Sequence, residues 1–424
     1  MNEPRLLIIA DDFTGANDTG VQVRRYGFPV RVSLSPAGIT GNETAVLDTE
    51  SRSLSRAAAA QRIAAYCSAL PLDRFPVIMK KVDSTLRGNI GTETAALADC
   101  LQADCVIFAP ALPGLGRTTV NGIHLLKGAP LTQTELARDP KTPVHEDNIT
   151  RIMEAAFDSA ARHFGINETR SGGIHFEGAR VFTFDAETDT DMCHIARAGL
   201  DAAAHGKRVL WVGSAGLAEN ILAAYTAIPP ALGIVASLSS VSRAQVHYAE
   251  KQGTALVQVS VSALLEKTVG GKADTDSFAD AALALLAEGQ DCLVLSSSTY
   301  AADELAKADA AAARLGMERE ALGDWTALRM GEIALAILRA PALQKTGISG
   351  IFLAGGDTAI SFFNAAGAEG SCVETEIAAG IPLMRLAGGP FDGLKVITKA
   401  GAFGAEDAIF YSLRKLKEQP LSPQ

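Results

Sequence analysis

Short apolar runs and alanine-rich amphipathic stretches alternate along this chain. Runs at Leu6–Ala10, Val30–Leu34, Val77–Lys80, Cys105–Ala109 and Val209–Gly213 have strand length and are nearly continuous, the pattern of strands covered on both faces. The pattern returns at Ala255–Val259, Cys292–Ser296, Gly350–Ala354 and Val396–Thr398. Between these runs, Ser55–Leu70, Glu93–Gln102, Ser277–Glu288, Ala301–Leu315 and Trp325–Leu338 carry helical spacing. Strand, loop and helix in repetition predict an α/β protein built on mostly parallel sheets flanked by helices.

The chain has 424 residues, more than a single hydrophobic core usually organises, so two domains are expected. The boundary falls at Ile228-Pro229-Pro230, where two prolines end a helix and a fresh apolar run, Ala231–Ala236, begins. This gives an N-terminal domain over residues 1–228 and a C-terminal domain over 229–424. Residues 162–180, with Ser171-Gly172-Gly173, read as a loop or insertion. The polar tail from Arg414 to Gln424 reads as a fraying end.

Composition narrows the function. The chain is 48% hydrophobic and 20% charged, which is globular, and its small residues suit close packing of helices on sheets. The net charge of −10, with no basic block and no zinc pattern, argues against nucleic acid as a partner. An acidic protein that binds an anion must build a local positive site against its own field. Six cysteines without a CxxC pair or a neighbouring His/Cys set read as reduced thiols of a cytoplasmic protein, with no metal ligands among them. No run has the length of a membrane span, and the first apolar run is too short for a signal peptide.

Two polar loops follow N-terminal strands. In Ala10-Asp11-Asp12-Phe13-Thr14-Gly15-Ala16, adjacent carboxylates cannot both enter a core cheaply, so at least one points into a cleft or caps the following helix. In Lys80-Lys81-Val82-Asp83-Ser84-Thr85-Leu86-Arg87-Gly88, cations, hydroxyls and an aspartate crowd a strand end. Such a loop can hold a carboxylate and offer Asp83 to a hydroxyl.

The C-terminal half holds glycine clusters at strand ends: Gly355-Gly356-Asp357-Thr358, Gly388-Gly389-Pro390 and Gly401 within Lys399-Ala400-Gly401-Ala402-Phe403-Gly404. Backbone N–H groups of a glycine turn opening a helix can cradle phosphate, although a purely structural turn explains one such cluster equally well. Ser237, Ser239, Ser240 and Ser242 follow the first strand of this half and read either as phosphate donors or as an ordinary polar turn.

Taken together and in this order, these segments resemble the four-carbon acid sugar kinase family, over residues 6 to about 411. The resemblance implies two domains with the active site in the interdomain cleft, the N-terminal one binding the acid sugar and the C-terminal one binding ATP with Mg²⁺. Members phosphorylate the 4-hydroxyl of D-threonate, D-erythronate or 3-oxo-tetronates. The continuation Asn17-Asp18-Thr19-Gly20-Val21-Gln22 is similar to the D-threonate branch.

On that reading Asp11, Arg52, Lys81, Val82, Asp83 and Ser84 bind the acid, with Asp11 as the base and Asp83 as the other candidate. Ser237, Ser239, Gly355, Gly356, Asp357, Thr358, Gly388, Gly389 and Gly401 serve the nucleotide, and a homodimer is compatible with the family. One departure is Val235-Ala236-Ser237, where the family's Ser-Gly-Ser motif has a middle glycine. The rival readings are a non-catalytic sugar-acid sensor and a nicotinamide-dependent dehydrogenase. The second lacks GxGxxG after Ile9, where Asp11-Asp12 stands instead.

Overall fold

In the computed structural model the described residues are 5–226, 228–268 and 275–419, with the side chains at 344 and 345 left out. They fall into two compact units, the first reaching Ala227 and the second spanning Ile228–Glu418. Gln419 returns to the first unit, where its N–H donates to Arg25 O at 2.8 Å. The C-terminal module therefore ends before the chain does.

The first unit is a sheet of eight parallel strands. In chain order these are β1 (Leu6–Ala10), β2 (Val30–Ser33), β3 (Thr44–Asp48), β4 (Val77–Lys81) and β5 (Cys105–Ala109), then β9 (Arg162–Phe164), β10 (Val181–Phe184) and β11 (Val209–Gly213). Across the sheet they run β2-β3-β1-β4-β11-β5-β10-β9. Every residue of β1, β3, β4 and β5 is buried, which explains their unbroken apolar character. A small antiparallel sheet, β6 (Arg117–Val120), β7 (Ile123–Leu126) and β8 (Ala129–Pro130), branches from the chain after β5.

The second unit contains β12 (Leu232–Val235), β13 (Ala255–Val259), β14 (Cys292–Ser296), β15 (Ile351–Ala354), β16 (Gly370–Ala378), β17 (Ile381–Ala387) and β18 (Lys395–Lys399). They are ordered β13-β14-β12-β15-β18-β17-β16, parallel except for β17, which is antiparallel to both its neighbours. Each unit thus has a mostly parallel sheet flanked by helices, as the alternating pattern predicts.

Three segments differ from the sequence reading. Residues 162–180 are not simply an insertion: β9 pairs with β10 at the sheet edge, and a helix, Ile166–Arg170, follows. Arg414 does not begin a frayed tail, because it lies within the helix Ala408–Lys417, whose Leu413 and Leu416 are buried. Residues 420–424 of that tail lie outside the described residues. The β16–β17 hairpin went unnoticed because β16 is largely exposed and carries no apolar run.

Topology places the chemistry. After β1 the chain moves toward β2 and β3, whereas after β4 it moves toward β5, so the connections diverge between β1 and β4. Register aligns Ala10 with both Asp48 and Lys81, bringing Asp11, Thr49 and Val82 to one edge. In the second unit the connections diverge between β12 and β15, with Val235 beside Ala354. Open parallel sheets bind ligands at such divergences, outside the carboxyl ends of the strands. Among the described residues, no helix is long and apolar enough to cross a membrane.

Gly213 closes β11 against β5 and sets the neighbouring loop. Its carbonyl accepts from Val82 N at 2.9 Å, while an added Cβ would lie 2.4 Å from Ala109 O. Gly213→Ala should cost about 2 kcal/mol through overpacking, lowering the melting temperature of the first unit by about 4 to 8 °C. Thermal unfolding followed by circular dichroism measures it, and an unchanged transition would refute the close contact.

Candidate active site

The helix Phe13–Arg25 begins where β1 ends, and Asp12 caps it by accepting from Gly15 N at 3.1 Å. The loop after β3 is clasped onto the same strand end, with Thr49 N donating to Ala10 O at 3.0 Å and Ser51 N to Asp11 O at 2.9 Å. These backbone bonds deliver Arg52 to the two carboxylates. Its Nε donates to Asp11 Oδ2 at 2.8 Å, and its NH2 donates to Asp11 Oδ1 at 2.9 Å and to Asp12 Oδ1 at 2.5 Å. Burial works against the guanidinium's charge, but the Asp11 hydrogen bonds and the surrounding carboxylates outweigh it and hold its pKa above the ordinary value.

This geometry divides the two aspartates. Asp11 is buried and both its oxygens are engaged by Arg52. Asp12 is partly open, and its two hydrogen bonds both fall on Oδ1. The sequence left capping and cleft-facing as alternatives, and Asp12 is a cap whose side chain stays partly open.

Lys80 and Lys81 point to opposite sides of the sheet, as strand alternation requires. Lys80 is fully buried, pairs with Glu93 at 2.9 Å and donates to Lys81 O at 2.9 Å. Lys81 lies on the loop side, where its Nζ would be 2.8 Å from a Cβ placed on Gly15. A Cβ on Gly15 would also crowd Asp12 Oδ1, at 2.5 Å. Lys81 is 4% exposed, and among the described residues it has no hydrogen-bond or ion-pair partner. Burial lowers its pKa, while the charges of Asp11 and Asp83 work in the opposite direction.

Asp83 is braced inside its own loop. It accepts from Thr85 Oγ1, from Arg87 Nε at 2.8 Å and from Arg87 NH2 at 3.3 Å, and Arg52 NH1 lies 3.9 Å away. Burial alone would raise its pKa. The Arg87 and Thr85 hydrogen bonds and the Arg52 charge overcome that and hold it well below the usual carboxylate range. A carboxylate so stabilised is a poor proton acceptor, so the geometry favours a structural role over the base role entertained from sequence. Val82 is buried and held by its backbone, and Ser84 presents its carbonyl to a histidine.

That histidine, His124 on β7, has no signal in the sequence, where the histidines look scattered. It is completely buried between Thr119 Oγ1 at 2.9 Å and Ser84 O at 3.0 Å. A carbonyl only accepts, so Nε2 donates to Ser84 O, and in the neutral ring Nδ1 accepts from the Thr119 hydroxyl. The small β6–β8 sheet thereby pins the Lys80–Arg87 loop. Burial pushes the imidazole pKa down to about 4.

In the second unit, Ser237, Gly355, Asp357 and Thr358 line one cavity of about 280 Å³ at the β12–β15 divergence. Gly355 has a φ of 109°, in glycine's territory, and turns the chain from β15 into the helix Gly356–Ala366. Ser239 caps the helix Ser240–Lys251 by accepting from Val241 N at 3.1 Å and Ser242 N at 3.4 Å. A Cβ on Gly401 would lie 2.6 Å from Ser237 Oγ, which joins the third glycine loop to this edge. Ala236, in place of the family glycine, also lines the cavity.

Gly388 and Gly389 are not brought there. A Cβ on Gly389 would meet Gly367 O at 2.4 Å, and one on Gly388 would meet the Glu369 side chain at 2.7 Å. Gly367 caps the far end of the eleven-residue helix Gly356–Ala366, about 16 Å of helix from the Gly355 turn. The cause is strand direction, since antiparallel β17 delivers these glycines to the opposite sheet edge. They form a turn there, away from the Gly355 edge.

Two α/β modules, each with a polar site at its topological divergence, define the class. The description "Sugar-binding N-terminal domain" matches residues 6–221, and "Nucleotide-binding C-terminal domain" matches residues 232–409. The chain is 34% identical over 429 residues to the D-threonate kinase of Salmonella typhimurium, covering 96% of this chain and 98% of that protein. It is 31% identical to the D-erythronate kinase of Heliobacterium modesticaldum, with 98% of each chain covered. A Bordetella bronchiseptica crystal structure with bound citrate, a domain-swapped dimer, matches at 27% identity and a TM-score of 0.59, covering 99% of this chain and all of that one. The chain belongs to the four-carbon acid sugar kinase family. It is accordingly a phosphotransferase acting on a hydroxyl group, with ATP as the phosphate donor.

The buried state of His124 gives a pH prediction. Its pKa is lowered on folding, so the unfolded chain binds more protons below pH 6.5 and stability falls with pH until about 4. The full contribution is roughly 3 kcal/mol. Relative to His124→Asn, the wild type should lose stability on going from pH 7 to pH 4.5 in denaturant titrations. Equal pH slopes would show that His124 is not held neutral.

Proposed function

We propose that this protein transfers the γ-phosphoryl group of ATP to the 4-hydroxyl of a four-carbon sugar acid, with D-threonate as the preferred acceptor. One observation carries the acid-binding half: Lys81, a buried ammonium with open donors, lies beside an Arg52 whose NH1 makes no hydrogen bond. Two cations that keep unused N–H groups although carboxylates surround them offer charge-assisted donors that fit one further carboxylate. The D-threonate preference is supported by the 34% identity to the Salmonella kinase, and the citrate bound by the Bordetella protein is a carboxylate as well.

In this reading Arg52 NH1, Lys81 Nζ and the backbone around Val82 and Ser84 hold the acid. Asp11 keeps Arg52 in place. Asp12, with Oδ2 open, orients the reacting hydroxyl and takes its proton as the oxygen attacks phosphorus. The Gly355–Thr358 turn, Ser237, Ser239 and Gly401 cradle the phosphates through N–H and hydroxyl donors.

Among the described residues, no group of three or more His, Cys, Asp or Glu side chains could hold a metal ion. A Mg²⁺ carried by the nucleotide would find a carboxylate in Asp357, which lines the cavity. Mg²⁺ so bound would neutralise phosphate charge. Cytoplasmic location and a homodimer belong to the same proposal, the latter supported by the dimeric Bordetella structure.

A coupled assay of ADP formation against D-threonate, L-threonate, D-erythronate and 3-oxo-tetronates tests the reaction, with D-threonate expected to give the highest kcat/KM. Turnover with none of them would refute the proposal. Lys81→Met should raise KM for the acid roughly 10- to 100-fold and leave KM for ATP unchanged. Asp12→Asn should lower kcat by about 100-fold or more, whereas Asp11→Asn, by loosening Arg52, should act mainly on KM for the acid. Near-normal turnover by Asp12→Asn would remove it from proton transfer.

A further inference from the structure

The cavity at the β12–β15 divergence has two chemically different parts. Its polar part is the strand-end edge just described. The rest is built by two helices, Ala302–Arg314 and Arg319–Arg339. Leu305, Ala308 and Asp309 stand at helical spacing on one face of the first, and Leu322 and Ala327 come from the second, with Val261 adding to the apolar wall. A phosphate cradle joined to an apolar slot fits a nucleotide laid with its base between the helices.

Asp309 is the anomaly in that slot. Its Oδ1 is buried and has no hydrogen-bond partner among the described residues, although the side chain as a whole is 35% exposed, and Arg319 of the same cavity pairs with it only at 3.8 Å, beyond hydrogen-bond reach. A carboxylate oxygen turned away from water with no donor bonded to it is open to a donor that a ligand supplies. We infer that Asp309 selects the base of the nucleotide, accepting a hydrogen bond from the exocyclic 6-amino group of adenine. Guanine and hypoxanthine place a carbonyl oxygen at that position, so two acceptors would face each other. Purine without a 6-substituent would leave Asp309 Oδ1 unpaired.

This inference rests on the nucleotide role proposed for the second unit. Calorimetric titration of the full chain with ADP, IDP and purine riboside diphosphate tests it without any mutation. ADP should bind at least about tenfold more tightly than either analogue, as expected when a site built for a donor meets a ligand lacking it. Equal affinities would overturn the assignment.

Asp309→Asn, whose amide can donate or accept, should reduce the ADP-to-IDP ratio to within about threefold, with KM for the acid unchanged. A ratio kept at the wild-type value would assign selectivity elsewhere. Binding of none of the three nucleotides would overturn both this inference and the nucleotide role. Selective ADP binding without turnover of any four-carbon acid would overturn the proposed reaction alone.

Discussion

Three carboxylates, Asp11, Asp12 and Asp83, surround one guanidinium at the end of the first sheet. Without Arg52, Asp11 would be a buried charge lacking its two principal hydrogen bonds, and its neighbour Asp12 would repel it. Arg52 has little freedom to be elsewhere, because its own backbone N–H donates to Asp11 O at 3.1 Å. The site is thus an electrostatic cluster fixed by main-chain bonds between two strand ends. What it leaves over, an unpaired Lys81 and an open Asp12 oxygen, is the part available to a ligand.

The cluster depends on a floor that takes no part in it. Lys80, on the opposite face of β4, is tied to Glu93 and to the carbonyls of Ile9 and Lys81, at the ends of both central strands. His124 holds the loop from a separate small sheet, and Asp83 braces it from within. A loop rich in polar side chains is rigid here because most of those side chains are spent on its own shape. The second unit repeats the topological logic with different chemistry: a divergence between two central strands, closed by glycine turns and serine hydroxyls rather than by charge.

Much of the fold was legible because the central strands of both sheets are parallel and buried, so they read as unbroken apolar runs. The strands absent from the sequence reading include exposed β16 and the short edge strand β9, but also buried β10, β17 and the small β6–β8 sheet. The candidate site was legible to the extent that chemistry sits next to strand ends in sequence: Asp11-Asp12, the Lys80–Arg87 loop and the Gly355 turn all qualify. Gly388-Gly389 resembles Gly355-Gly356 locally, yet antiparallel β17 carries it to the other edge, and only the pairing of strands reveals that.

By itself the sequence determined the alternation of strands and helices, the two-module organisation, and which short segments carry charge, hydroxyls and glycine. Each of these depends on residues near one another in the chain. The tertiary structure decided which groups are spent and which are open. It tied both Asp11 oxygens to Arg52, turned Asp83 inward to Arg87, left Lys81 unpaired, buried His124 against Ser84, and brought Asp309 to the cavity at the β12–β15 divergence. Most of those outcomes join residues distant in the chain, and all depend on burial and pairing that only the folded chain supplies.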